Sequence, residues 1–106
     1  MKIKWVKVLS NKWKIVWGDK WSEGEEIFGL TKELDQTIFI HTRPPPEKQY
    51  STLFHELIHA VDMELKIGLK EKQVILLESG LVQLIRDNPQ FIKELMNTNT
   101  KAMDEE

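Results

Sequence analysis

The sequence predicts an α+β domain in which a small, mostly antiparallel sheet of three or four strands is followed by three helices. Three observations carry this reading. Apolar spacing changes from strand-like to helical near residue 47. The run Arg43-Pro44-Pro45-Pro46 separates the two regimes. Gly68 and the Asn88-Pro89 pair then divide the helical part.

Residues 3–9 are rich in β-branched and aromatic side chains, and 12–17 alternate with Trp13, Ile15 and Trp17 on one face. This predicts two strands joined at Ser10-Asn11. Gly18-Asp19 and Gly24 mark turns, 27–30 reads as a short strand, and 37–40 as a further strand introduced by Asp35-Gln36. Tryptophans 5, 13, 17 and 21 are expected to cover the sheet and pack on the helices, because large aromatics dominate small cores. The prolines make a stiff crossing from sheet to helix, with Pro46 suited to a first helical turn.

From 47 to 66, Tyr50, Leu53, Phe54, Leu57, Ile58, Val61 and Leu65 form one apolar stripe, with His55, His59 and Asp62 on a neighbouring stripe. Gly68 is expected to close this helix. A second helix over 70–87 is apolar on most sides, and a third starts at Asn88-Pro89 and runs to Met96. Residues 97–106 are polar, acidic at their end, and read as a loosely held, flexible tail.

At 106 residues the chain reads as a single domain, 1–106, with a modest core. The absence of cysteine excludes disulfides, thiolate zinc sites and cysteine nucleophiles. Net charge of −2 over a 30% charged chain gives no reason to expect nucleic acid or an anionic membrane as partner. No stretch approaches the ~20 apolar residues of a membrane span, and Met-Lys-Ile-Lys-Trp lacks the apolar core of a signal peptide. A cytoplasmic protein is the expectation.

Chemistry concentrates in His55-Glu56-Leu57-Ile58-His59. Histidines four apart on a helix stack on one face and can reach a single ion. A glutamate between them is placed to take a proton from water activated by that ion. A catalytic zinc site needs a third protein ligand and leaves its fourth position to water. Glu78 is the favoured candidate. An antiparallel hairpin about Gly68 brings it level with His59, and it is the single acid in an apolar run. Glu71, expected about two turns from the metal, and His41, at a strand end, are the alternatives.

With these residues in view, the chain resembles the gluzincin metallopeptidases, on the strength of residues 52–88. The eighteen residues between His59 and Glu78 match the aminopeptidase-type spacing, and total length and the preceding sheet resemble the minigluzincins. The stretch Thr52-Leu53-Phe54-His55-Glu56-Leu57-Ile58-His59-Ala60, with Arg86-Asp87-Asn88-Pro89, also resembles small phage and bacterial proteins of this type. The resemblance implies zinc-dependent hydrolysis of peptide bonds in a peptide or protein substrate. His55, His59 and Glu78 would be ligands and Glu56 the general base. Latency would come from a C-terminal segment entering the cleft, together with self-association into dimers or larger species. Larger gluzincins often place an acid four residues after the third ligand, where this chain has Val82. Bracing of His59 is then expected from Asp62, unless Asp62 simply pairs with Lys66. Tyr50 or His41 is open as an oxyanion donor, and substrate is expected along an edge strand at 37–40. Two rival readings are a non-catalytic structural zinc site, closed by His41 or Glu71, and a helical interaction module whose His-Glu-x-x-His string is accidental.

Overall fold

The computed structural model describes residues 2–19 and 28–98. Alternating side chains make the first hairpin. Strand β1 (Trp5–Val8) pairs antiparallel with β2 (Asn11–Gly18), setting Val6 opposite Trp13. Its turn lies at Leu9-Ser10, with Leu9 at φ 55, so Asn11 already belongs to β2. Strands β3 (Gly29–Lys32) and β4 (Thr37–His41) form a second antiparallel pair. Residues 20–27, including Trp21, Gly24 and Ile27, lie outside the described residues.

The two pairs join through a parallel seam between β2 and β4, giving the order β1-β2-β4-β3. Two of the three pairings are antiparallel, as expected, and the parallel β2–β4 seam makes the sheet mixed. Strand β4 is an interior strand and not the expected edge. Its near-continuous apolar run, with Thr37, Ile38, Ile40 and His41 all buried, suits a strand covered on both sides. Among the described residues, the edges are β1 and β3.

Helix α1 (Pro46–Leu65) lies on this sheet, with Pro46 in its first turn. Leu53 and Ala60 join Val8, Trp13, Ile15, Ile38 and Ile40 in one core. Polar ties hold both ends of the helix. The buried Gln49 amide donates to the Thr42 and Pro44 carbonyls at 3.1 and 2.7 Å, which fixes the proline crossing. At the other end, the Glu64 carboxylate accepts from Asn11 at 2.7 and 2.8 Å and from the Trp13 indole at 3.0 Å. Trp13 is buried, Trp17 half-buried and packed on Tyr50, and Trp5 exposed, so the core role expected of the tryptophans falls mainly to Trp13.

Lys66, not Gly68, closes α1, in the left-handed conformation at φ 56. Helix α2 (Glu71–Asp87) returns antiparallel, and α3 (Pro89–Asn97) follows Asn88. Only Val74 of α2 is buried, and no residue of α3 is. Among the described residues, no helix is long and apolar enough to cross a membrane.

Candidate metal centre

The side of α1 turned toward β3 and α2 forms one wall of an open cleft of about 450 Å³. Thr52, His55, Glu56, His59 and Met63 come from α1, Gly29, Leu30 and Thr31 from β3, and Glu71 and Glu78 from α2. The four-residue spacing puts the two imidazoles in edge-to-face contact, their centroids 5.0 Å apart. Both are partly buried, with 16% of the His55 side chain and 21% of the His59 side chain accessible.

One carboxylate spans the pair. Glu71 Oε1 lies 2.6 Å from His55 Nε2, and its Oε2 lies 3.1 Å from His59 Nε2. Glu78 Oε1 takes the opposite nitrogen of His55, Nδ1, at 3.2 Å. Carboxylates therefore face both ring nitrogens of His55. Two imidazole nitrogens and a carboxylate oxygen, with Glu78 on the far nitrogen of the first imidazole, match a three-ligand metal site and its supporting shell. His55, His59 and Glu71 offer ligand atoms that all lie within 4.8 Å of one another, close enough to hold one metal ion.

The register explains why Glu71 is at the site and not two turns away. Arg86 meets Glu47 and Glu78 meets His55, so the bend is centred near Lys66, where α1 ends, and not at Gly68. Glu78 consequently faces His55 and not His59. By the same register the backbone of Glu71 is level with Asp62, and its long side chain reaches back to both rings. Asp62 neither braces a histidine nor pairs with Lys66, the two roles its position suggests. It accepts from the backbone N–H groups of Gly68 at 2.7 Å and Leu69 at 3.2 Å, holding the connection that sets this register.

Glu56 is 7% exposed and lies on the sheet side of the cleft. Thr31 Oγ1 donates to its Oε1 at 2.7 Å. Burial pushes its carboxyl above the ordinary carboxylate range, with Glu71 adding to that shift, while the Thr31 hydrogen bond and the nearby histidines oppose it. His41 is buried, its Nδ1 accepts from the Arg43 N–H at 3.2 Å, and it is not among the cleft residues. Tyr50 lines a separate groove between α1 and α2, so neither residue faces the histidines as an oxyanion donor.

Gly29 and Thr31, which the sequence does not mark as site residues, also line the cleft. A glycine inside a short strand signals close backbone approach, and Gly29 was legible on that ground. A side chain at Gly29 would put Cβ 2.6 Å from Thr52 Cγ2 and 3.0 Å from Glu56 Cγ and Oε2. Comparison with protein families, characterised proteins and solved structures gives no match.

Proposed function

We propose that the protein is a zinc-dependent peptidase of the minigluzincin type, acting on peptide or protein substrates. The observation that carries this reading is the juxtaposition of His55, His59 and Glu71 with the buried carboxylate of Glu56 across one open cleft. A structural zinc site would be closed by a fourth protein ligand. Among the described residues, no further His, Asp or Glu joins the group of three.

In this reading His55 and His59 hold the ion through Nε2. Glu71 is the carboxylate ligand, and Glu78 fixes the His55 ring through Nδ1. The family spacing instead favours Glu78 as ligand, and substitution separates the two. Glu71→Gln is expected to abolish stoichiometric zinc binding, whereas Glu78→Gln weakens it about 10- to 100-fold. The reverse result would hand the ligand role to Glu78.

Zinc held there would supply Lewis-acid activation of water and of the scissile carbonyl. Glu56 would act as the proton carrier, accepting a proton from the attacking water and passing it to the leaving amine. The substrate lies extended along β3, the edge strand lining the cleft, in place of the 37–40 segment. Self-association is supported by the exposed apolar residues of α2 and α3, among them Leu76, Leu84, Phe91 and Leu95. A chain without cysteine suits a reducing cytoplasm.

The test is zinc content and peptide cleavage in wild type and Glu56→Gln. Retained zinc with cleavage reduced about 10²- to 10⁴-fold is expected. Unchanged cleavage would remove Glu56 from the chemistry. Zinc without cleavage in either protein would favour a structural site.

A further inference from the structure

The catalytic reading asks more of Glu56 than proximity. Its carboxylate must hold one orientation through many turnovers. General-base catalysis is sensitive to displacements of well under 1 Å. What could hold the group is on β3. Gly29 and Thr31 are two residues apart on that strand, so they share the face turned toward α1.

Their roles differ. The Thr31 hydroxyl lies 2.7 Å from Glu56 Oε1 and 3.2 Å from the Glu56 carbonyl oxygen. A hydroxyl has one proton to donate, and the shorter, charge-assisted contact takes it. Gly29 contributes by having no side chain, since the space of its missing Cβ is bounded by Thr52 Cγ2, Glu56 Cγ and Glu56 Oε2. One carboxylate oxygen is thus tethered, and the other lies against bare backbone. Among the described residues, the strand carrying both is paired on one side, through Gly29–Ile40 and Thr31–Ile38 register with β4.

The geometry points to Gly29 and Thr31 as a positioning pair for the Glu56 carboxylate, contributed by the edge strand. The inference rests on the peptidase reading for its consequence, but not for its structural content. Thr31→Val keeps the shape of the side chain and deletes the donor. It is expected to lower kcat about 10- to 100-fold with KM and zinc content unchanged, and Thr31→Ser is expected to restore most of the loss. Gly29→Ala should likewise cut kcat while retaining zinc. Gly29→Ala/Thr52→Ser removes the overlap with Thr52 but not that with Glu56, so it should regain thermal stability without regaining kcat.

A second readout needs no turnover. In zinc-free protein carrying ¹³C at the glutamate side-chain carboxyls, the resonance lost in Glu56→Gln identifies Glu56. That resonance should shift in Thr31→Val at constant pH and return toward the wild-type position in Thr31→Ser. A shifted resonance in a protein that cleaves nothing would keep the positioning pair and sink the peptidase reading. Wild-type kcat in Thr31→Val, or an unmoved Glu56 resonance, would overturn the positioning role.

Discussion

The two halves of this molecule are built on opposite terms. The sheet and α1 bury their large apolar side chains, with Trp13 at 1% exposure and Ile38 and Ile40 at 0%. They also satisfy buried polar groups such as Gln49 with defined partners. The α2–α3 half buries only Val74, and leaves Leu76, Leu84, Phe91, Leu95 and Met96 at least half exposed. The first half has a core of its own. The second is held to it by one face of α2 and by the carboxylates of Glu71 and Glu78 at the histidines. A metal ion at the site would join the halves covalently, which gives the cluster a structural consequence as well as a chemical one.

The largest expected effect tests that junction. Chelation of zinc from wild type, or His59→Ala, should lower the melting temperature by several degrees, with the loss concentrated in α2. Amide exchange localises it: α2 and α3 amides should lose protection while β2 and β4 keep theirs. Uniform loss across both halves would mean that they unfold as one unit regardless of metal.

Next is the contrast between cores. Ile38→Ala should cost about 2–5 kcal/mol in chemical denaturation, as expected for a fully buried side chain. Leu84→Ala, at a half-exposed position, should stay within about 0.5 kcal/mol in dilute protein. If the α2–α3 face is covered by another copy, Leu84→Ala will cost more as protein concentration rises, and wild-type melting temperature will climb with it. Equal costs for the two variants at low concentration would erase the contrast.

This difference also explains what the sequence could disclose. Period-two alternation in 12–17 and the apolar stripe of 47–66 are local signals, and the strands and helices fall close to where they point. The parallel β2–β4 seam is a long-range pairing with no local signature beyond the unbroken apolar run at 37–40, which read equally as an edge. The histidines were legible because helical spacing alone stacks them. The positions of Glu71 and Glu78 were not, because they depend on where the interhelical bend is centred. Lys66 adopts a left-handed conformation that its side-chain type does not advertise, and it shifts the register by about one turn. Thr31 reaches Glu56 only through tertiary packing, and no spacing rule connects residues 25 apart.

A smaller effect concerns pH. Burial raises the Glu56 pKa in the fold, so its contribution to stability is full below the unfolded value and is lost as pH rises through the folded one. Zinc-free wild type should therefore lose stability relative to Glu56→Gln as pH rises above the ordinary glutamate value of about 4.3. A constant difference above that value would show that the carboxyl is not perturbed. The smallest effect belongs to the rim of the interhelical contact. Arg86 meets Glu47 at 3.3 Å with both side chains more than half exposed. Arg86→Ala should change stability by about 0.5 kcal/mol or less, and a loss of several kcal/mol would mean that this pair anchors α2.

The most direct test of the account is zinc X-ray absorption on protein loaded with one equivalent of metal. Two imidazole nitrogens at about 2.0–2.1 Å and oxygen ligands at about 2.0–2.2 Å are expected, with one imidazole lost in His59→Ala. An all-oxygen shell without imidazole scattering, unchanged by His59→Ala, would contradict it.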